Sequence, residues 1–299
     1  MSSFPRHSGV IVPLVTPVTP NGSLDEPAAA RLADHLAANG CGMLVLGTTG
    51  EVASLSGALR RRYVEIAVRT VAKRTPVFAG VVHNSLADSI AAARDYLKLG
   101  ADAVVGLLPN YYKLGPAEMQ AWFEQLADGI SGPLLVYNMP ATTGMSLPIE
   151  VIEALSQRPN ITGLKDSENT AGRREEVAKR LGGRKDFSLF MGIAAHSIPA
   201  LKLGFDGLVP SSGNLYPERW DQLYKAARAG DWATAEKLQA NLDAVNTIFQ
   251  RNRILGPSLA ALKAGLALRN LCGPDMVPPL VALPAAEREA VVAELRQLG

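Results

Sequence analysis

The sequence predicts a (β/α)8 barrel, a closed ring of parallel strands with a helix after each strand, followed by a helical C-terminal appendage. Short β-type runs alternate with longer helical patterns from residue 10 to about residue 230, as in repeated βα units. This alternation gives about eight strands in roughly 220 residues, whereas an open doubly wound sheet of that length more often has about five to seven. Beyond residue 230 the strand pattern disappears. The strand count therefore favours the closed barrel.

The strands are short apolar runs, typical of a parallel sheet that is buried on both faces. They are predicted at Val10–Val15, Met43–Leu46, Val77–Val81, Ala103–Leu107, Leu134–Tyr137, Ile161–Lys165, Ser188–Met191 and Gly207–Val209. The helices between and after them are predicted to begin near Glu26, Ser56, Ser85, Pro116, Pro148, Thr170, Ala194 and Pro217. Ser56 is a candidate N-cap, and a proline stands at the predicted first turn of the fourth, fifth and eighth helices.

The last 69 residues contain helical patterns only. They are predicted as Asp231 to Arg251, Ser258 to Leu271 and Ala285 to Leu298, separated by Gly256-Pro257 and by Gly273-Pro274 with Pro278-Pro279. We therefore expect a catalytic barrel domain over residues 1–230 and a C-terminal helical region over 231–299.

Composition excludes several classes of function. The chain has 299 residues, of which 47% are hydrophobic, and its net charge of +2 with 6% aromatic residues gives no electrostatic footprint for nucleic acid. Cys41 and Cys272 belong to no CxxC pair, which favours a reducing compartment without structural zinc. The N-terminus has no signal-peptide pattern, and no apolar run approaches membrane-spanning length. We expect a cytoplasmic protein with no membrane partner.

Lys165 lies in an apolar β-type run, Ile161-Thr-Gly-Leu-Lys165, where an ammonium group is costly to bury. Burial favours the neutral form of an amine, and a neutral amine attacks a carbonyl to form a Schiff base. The same side chain can instead pair with a carboxylate such as Asp166 or extend to the barrel rim. The other strand ends decide between these interpretations, because barrel active sites lie at the C-terminal ends of the strands.

Polar and small residues collect at those ends. Strand two ends in Gly47-Thr48-Thr49-Gly50-Glu51, where backbone N–H groups can face a carboxylate or simply form a capped loop. Tyrosines follow strand four, as Tyr111 and Tyr112, and end strand five, as Tyr137; they either pack the barrel mouth or transfer protons beside the lysine. Candidate substrate-binding residues elsewhere are Thr142, Ser167, Gly192, His196, Val209 and Ser211.

The ordered set Gly47-Thr-Thr-Gly-Glu51, Pro109-x-Tyr111-Tyr112, Tyr137-Asn-x-Pro140-x-x-Thr143-Gly144 and Gly163-x-Lys165-Asp166 resembles the dihydrodipicolinate synthase and N-acetylneuraminate lyase superfamily. The resemblance covers essentially the whole chain. It implies a Schiff-base aldolase on a TIM barrel, without metal or organic cofactor, assembled as a homotetramer of tight dimers.

The same resemblance implies a role for each matching residue. Lys165 would attack the C2 carbonyl of pyruvate or another 2-oxo acid, and Tyr137 would transfer protons. Thr48 and Thr49 would hold the carboxylate, and Thr48 would link Tyr137 to a tyrosine of the neighbouring subunit, which Tyr111 matches better than Tyr112.

Departures from the pattern narrow the substrate. The arginine that dihydrodipicolinate synthases carry after the strand-five proline is Thr142 here, and the acidic pair of sialic acid lyases is Ala194-Ala195. The local sequence around Tyr137 and Lys165 is most similar to that of 4-hydroxy-2-oxoglutarate and 2-keto-3-deoxy sugar acid aldolases. These enzymes cleave a 4-hydroxy-2-oxo acid to pyruvate and an aldehyde, or join the two. A synthase, a 2-keto-3-deoxy acid dehydratase and a non-catalytic barrel that binds 2-oxo acids remain open as alternatives.

Overall fold

A computed structural model describes residues 4–298 and confirms the predicted fold. Eight parallel strands pair in sequence order, β1 with β2 through to β8, and β8 pairs with β1 to close the barrel. Each predicted strand is present, with shifts of at most a few residues at its ends. The strands are β1 Gly9–Pro13, β2 Gly42–Val45, β3 Val77–Val81, β4 Ala103–Leu107, β5 Leu134–Asn138, β6 Ile161–Asp166, β7 Ser188–Met191 and β8 Gly207–Leu208.

Helices follow every strand, as the alternation predicted. Those up to residue 230 are α1 Glu26–Ala38, α2 Gly57–Val71, α3 Leu86–Leu99, α4 Pro116–Asp128, α5 Pro140–Thr143, α6 Ile149–Leu155, α7 Arg173–Leu181, α8 Ser197–Lys202 and α9 Pro217–Arg228. Ser56 caps α2, because its side chain accepts a hydrogen bond from the Leu59 N–H, and Ser85 caps α3 in the same way. The short helix α5 has no counterpart in the prediction, since four residues are too few for a periodic pattern.

The barrel interior holds its own apolar cluster, separate from the one beneath the helices. Alternate residues of a strand point to opposite faces, so one set of strand side chains fills the barrel. That set comprises Ile11, Leu44, Phe78, Ala103, Val105, Leu107, Leu135, Tyr137, Phe190 and Val209. The phenol of Tyr137 therefore belongs to the barrel interior and lies at its C-terminal end.

The C-terminal region is helical, as predicted: α10 Trp232–Gln250, α11 Leu255–Leu268 and α12 Ala285–Gln297. The predicted break at Gly256-Pro257 was wrong, because both residues lie in the first turn of α11. Proline is tolerated there, since the N–H that it lacks would have no partner within the helix. Residues of these helices share one apolar cluster with the outer faces of the barrel strands. The division into two domains at residue 230 stays a prediction. The predicted domains include residues 1–3 and 299, which lie outside the described residues.

A buried ion pair joins α11 to the loop after β2. Lys263 Nζ lies 2.5 Å from Glu51 Oε1, and both side chains are fully buried. Glu51 Oε2 also accepts a hydrogen bond from the Val277 N–H, and Lys263 donates to the Asp275 carbonyl. A charge buried this deeply needs a partner, so the C-terminal region and the loop after β2 hold each other in place.

Candidate active site

A cavity of about 250 Å³ opens at the C-terminal ends of the strands. This is the end at which barrel enzymes place their chemistry. Its walls are formed by Pro13, Thr48, Thr49, Tyr137, Met139, Lys165, Ser167, Gly192, Ile193, Ala194, Ala195, Val209, Ser211, Asn246, Gln250 and Leu255. Eight of the predicted site residues therefore come together in one cavity: Thr48, Thr49, Tyr137, Lys165, Ser167, Gly192, Val209 and Ser211.

Lys165 projects from the end of β6 into this cavity, and only 4% of its surface is exposed. In the β5–β6 register it pairs with Tyr137, so the two side chains share the inner face of the barrel. The Nζ atom lies 3.9 Å from the centroid of the phenol ring. The alternatives of pairing with Asp166 or extending to the rim are not adopted, because Asp166 points the other way and pairs with Arg173 at 2.8 Å.

Tyr137 is buried, and its hydroxyl oxygen lies 3.4 Å from Thr48 Oγ1. Burial alone would raise the pKa of this phenol, but the positive charge of Lys165 and hydrogen bonds from Thr48, Ser167 and Lys165 outweigh burial and lower the pKa below its ordinary value. A phenol with a lowered pKa gives up its proton more readily than an ordinary tyrosine does. The site therefore holds an amine and an ionisable phenol side by side.

The loop after β2 carries Thr48 and Thr49 in a single 3₁₀ turn, Thr48–Gly50. Leu46 and Glu51, on either side of the turn, adopt left-handed backbone angles, with φ of 59° and 55°. Such angles are rare for residues with a side chain and persist where the surroundings hold them. Here Glu51 is held by Lys263, and a Cβ at Gly80 of β3 would lie 2.0 Å from the Leu46 carbonyl oxygen, so only glycine permits this approach.

Ser167 and Gly192 pack against each other beside the lysine. The Gly192 N–H donates to the Asp166 carbonyl at 2.7 Å, and the Ser167 N–H donates to the Asn138 carbonyl at 3.0 Å. A Cβ at Gly192 would lie 1.9 Å from Ser167 Oγ. Glycine at 192 therefore lets the serine hydroxyl occupy the cavity wall next to Tyr137.

A polar network just beyond the ends of β5 and β6 supports the Lys165–Tyr137 pair. Arg173 Nε contacts Asp166 Oδ2 at 2.8 Å and Glu168 Oε2 at 3.3 Å, and the Asn138 side-chain amide donates to both carboxylates. Asn138 and Asp166 directly follow Tyr137 and Lys165 in the chain. The network thus fixes the backbone that carries the side chains of Tyr137 and Lys165.

Four predicted site residues, Gly47, Thr142, His196 and Tyr111, do not line this cavity. Gly47 precedes Thr48 and shapes the turn without reaching the cavity wall. Thr142 lies on α5, donates to the Met139 carbonyl and faces a neighbouring cavity that Thr48 and Leu255 also border. His196 is the last residue of the 3₁₀ turn after β7 and faces a third cavity with Glu168 and Arg174. The side chains of Thr142 and His196 therefore line neighbouring cavities and not the one that contains Lys165.

Tyr111 also lies away from the cavity, on the surface. Its side chain is 76% exposed and contacts that of Tyr112, which is 74% exposed, with the ring centroids 4.9 Å apart. The side-chain oxygen of Asn84 accepts hydrogen bonds from the N–H groups of Asn110 and Tyr111, which fixes the loop. Two adjacent exposed aromatic rings on an ordered loop are typical of a surface that meets a partner.

Three cavity residues come from the C-terminal helices and were missed from the sequence: Asn246 and Gln250 on α10, and Leu255 on α11. The available signal was the spacing of Gln239, Asp243, Asn246 and Gln250, which places four polar side chains on one face of α10. Which helix face meets the barrel mouth, however, depends on how α10 folds back, and this cannot be deduced from periodicity alone.

Residues 4–298 contain no cluster of three or more His, Cys, Asp or Glu side chains placed to hold a metal ion. Within the same residues, no helix has both the length and the apolar character needed to cross a bilayer. The polar side chains that line the cavity with Lys165 are hydroxyls and amides, which both donate and accept hydrogen bonds.

Comparison with known proteins agrees with this chemistry. A family model described as the dihydrodipicolinate synthetase family matches residues 6–298. The 4-hydroxy-tetrahydrodipicolinate synthase of Phenylobacterium zucineum is 32% identical over 296 residues, which cover 99% of this chain and 98% of the relative. YagE of Escherichia coli K12, named provisionally as a 2-dehydro-3-deoxy-D-gluconate aldolase, is 31% identical over 298 residues, with 97% of each chain covered.

Solved structures give the same result. The crystal structure of YagE in complex with pyruvate matches with a TM-score of 0.92 at 30% identity and covers 97% of this chain and 98% of that one. The dihydrodipicolinate synthase of Bacteroides thetaiotaomicron matches with a TM-score of 0.92 at 31% identity, with the same coverage. The fold and these relatives define a lyase that uses pyruvate. More particularly, the chain belongs to the dihydrodipicolinate synthetase family.

Proposed function

We propose that the protein cleaves a 4-hydroxy-2-oxo acid to pyruvate and an aldehyde, or joins the two, through an imine on Lys165. The observation that supports this most directly is the contact between Lys165 Nζ and the Tyr137 ring at 3.9 Å within a buried cavity. A buried amine next to an ionisable phenol supplies the nucleophile and the proton-transfer group that Schiff-base chemistry requires.

The reaction proceeds in balanced steps. The Lys165 amine adds to the C2 carbonyl to form a carbinolamine. Tyr137 gives its proton to the departing hydroxyl, so water leaves and a protonated imine remains beside the Tyr137 phenolate. Tyr137, as phenolate, takes the proton of the C4 hydroxyl while the C3–C4 bond breaks; the bonding electrons move into the imine to give an enamine, and the aldehyde leaves. The enamine carbon takes a proton back from Tyr137, and water releases pyruvate and restores the amine.

Thr48 and Thr49 are proposed to hold the carboxylate of the 2-oxo acid, since both border the cavity beside Tyr137. Thr48 also lies within 3.4 Å of the Tyr137 hydroxyl and orients it. Exposure of Tyr111 supports a homotetramer in which Tyr111 of the partner subunit completes a proton relay through Thr48. No metal or organic cofactor takes part in this scheme, and we propose a cytoplasmic location.

A second candidate is 4-hydroxy-tetrahydrodipicolinate synthase, because relatives of that name reach 32% identity. That enzyme's second substrate, aspartate semialdehyde, carries a carboxylate. Among the described residues that line the cavity, however, Lys165 is the only cation, and it is consumed in the imine. A second carboxylate would therefore meet hydroxyl and amide groups instead of a guanidinium. The geometry favours the aldolase.

Pyruvate release distinguishes these activities. The purified protein is incubated with 2-keto-3-deoxygluconate, with 4-hydroxy-2-oxoglutarate, or with pyruvate and aspartate semialdehyde, and pyruvate is followed with lactate dehydrogenase. We expect pyruvate to appear from a 4-hydroxy-2-oxo acid and to be consumed slowly with the semialdehyde. Faster turnover of the semialdehyde would establish the synthase; loss of water without pyruvate release would establish a dehydratase; no turnover of any substrate would establish a non-catalytic barrel.

A further inference from the structure

Asn246 is a buried polar side chain without a partner on the wall of the cavity. It lies in α10, and only 6% of its surface is exposed. Neither amide atom, Nδ2 or Oδ1, has a hydrogen-bond partner within residues 4–298. Both positions are unpaired, so the conclusion is independent of which way the amide is turned. Buried amides are normally hydrogen-bonded. An unpaired amide at a cavity wall therefore indicates that a bound ligand supplies the missing hydrogen bonds.

The remainder of α10 holds this amide in place. Gln239, Asp243, Asn246 and Gln250 follow one another at intervals of four, three and four residues, so they share one face of the helix. The Gln239 side-chain amide donates to the Ala194 carbonyl at 3.0 Å and to Asp243 at 2.8 Å. Because Ala194 also lines the cavity, this contact fixes α10 against the loop after β7. Gln250, one turn beyond Asn246, reaches the cavity at its exposed edge.

The charge of the cavity lining indicates which functional group of a ligand Asn246 can bind. Lys165 is its one charged lining residue within the part of the chain that the structure describes. A carboxylate only accepts hydrogen bonds and is bound best by a cation, whereas a hydroxyl both donates and accepts, as a carboxamide does. Ala194 and Ala195 leave space without offering charge. The amide of Asn246 therefore matches a neutral hydroxyl group.

We propose that Asn246 determines the specificity of the second substrate by binding the hydroxyl groups of a neutral polyhydroxy aldehyde, with Gln250 contributing at the exposed edge. This inference rests on the proposed function and narrows it: the sugar-acid type of 4-hydroxy-2-oxo acid is favoured over 4-hydroxy-2-oxoglutarate, whose aldehyde portion is the acid glyoxylate. Asn246 takes no part in imine formation.

The test compares three aldehydes in condensation with pyruvate: D-glyceraldehyde with two hydroxyls, propanal with none, and glyoxylate with a carboxylate. Asn246→Leu replaces the amide by an apolar group of similar size, Asn246→Ala serves as a second variant, and Thr247→Val, on the exposed side of the same helix, is the control. Borohydride trapping of pyruvate measures imine formation separately from aldehyde use, and thermal melting checks the fold.

We expect the native protein to prefer glyceraldehyde to glyoxylate. In Asn246→Leu, kcat/KM for glyceraldehyde should fall about 10-fold or more while that for propanal changes less than about 3-fold, because only the hydroxyl contacts are lost. Pyruvate trapping should be unchanged, and Tm unchanged or higher, because an unpaired buried amide is removed. Thr247→Val should behave as the native protein.

Two results would overturn the inference and leave the proposed function standing. One is an equal loss for glyceraldehyde and propanal, which would show a structural role; the other is a native preference for glyoxylate, which would show recognition of a carboxylate. If no pyruvate is trapped on the native protein, the proposed function itself fails and this inference fails with it. If Asn246→Leu does not fold, Asn246→Ala gives the same comparison.

Discussion

Lys165 and Tyr137 lie side by side on paired strands, with the lysine Nζ 3.9 Å from the centroid of the phenol ring. The contact has two consequences. The lysine charge lowers the pKa of the phenol, and the ring excludes water from one side of the amine. Adjacent strands thus place the proposed nucleophile and the proposed proton-transfer group at the same level of the barrel.

Replacing Tyr137 tests whether its hydroxyl transfers protons in the reaction. Tyr137→Phe keeps the ring against Lys165 and removes the hydroxyl, so the fold should be retained while proton transfer is lost. Loss of a positioned acid–base group lowers kcat by about 10²- to 10⁴-fold. Steady-state pyruvate release from the preferred substrate measures this, with Tyr216→Phe as a control, since Tyr216 is buried beside α9 and away from the cavity. A change of less than about threefold would remove Tyr137 from the mechanism.

The pKa of Tyr137 can be measured by absorbance. Burial raises the pKa of Tyr96 to about 12 and holds that of Tyr63 well above its ordinary value, whereas the pKa of Tyr137 is lowered. An ultraviolet titration should therefore show one phenolate forming below the ordinary tyrosine pKa of about 10 in the native protein, and not in Tyr137→Phe. A difference spectrum that appears only above pH 10 would contradict the lowered pKa.

The same shift predicts how stability depends on pH. A depressed pKa means that folding favours the phenolate, so the stabilisation is present above the ordinary pKa of about 10 and disappears as pH falls through the lower pKa of the folded state. The difference in free energy of unfolding between the native protein and Tyr137→Phe should therefore rise with pH across this window. Urea unfolding at several pH values measures it, and a difference that falls with pH would show the opposite sign.

Thr48 orients the phenol through a hydrogen bond of 3.4 Å. Thr48→Val removes the hydroxyl and keeps the shape of the side chain. The loss of one neutral hydrogen bond, worth about 0.5–1.5 kcal/mol, should reduce kcat by about 2- to 12-fold and raise the pKa of Tyr137. Thr48→Ser, which restores a hydroxyl, should recover most of the rate. Equal defects in both variants would point to packing instead of the hydrogen bond.

The buried pair of Lys263 and Glu51 links the C-terminal region to the loop that carries Thr48. Lys263→Met leaves the Glu51 carboxylate buried and unpaired, which should lower the free energy of unfolding by about 3–5 kcal/mol. Adding Glu51→Gln removes that charge and keeps an acceptor for the Val277 N–H, so the double variant should regain at least half of the loss. Urea unfolding measures both; a double variant no better than the single one would exclude this account.

Much of the fold was predictable because its signals are local. Short apolar runs with alternating helices specify the barrel, and period-two alternation places Lys165 on the inner face with Tyr137. The positions of Thr142 and His196 were not predictable, since they follow strands in tight turns, where one residue changes the direction of the side chain. Both face neighbouring cavities.

Lys263 shows a second kind of limit. It is a lysine in an apolar run, the same signal that singled out Lys165, and its side chain is fully buried. The two lysines differ in their surroundings: Lys263 meets a carboxylate and a carbonyl, and Lys165 meets a phenol and a cavity. Those surroundings come from distant parts of the chain, so a local pattern identifies a buried lysine and not its purpose.

Trapping the imine tests the central proposal most directly. The protein is incubated with pyruvate and borohydride, digested and mapped by mass spectrometry, with Lys165→Ala and Lys263→Met in parallel. We predict a reduced pyruvyl group on Lys165 in the native protein and in Lys263→Met, and none in Lys165→Ala. A pyruvyl group on another lysine, or none on the native protein, would contradict it.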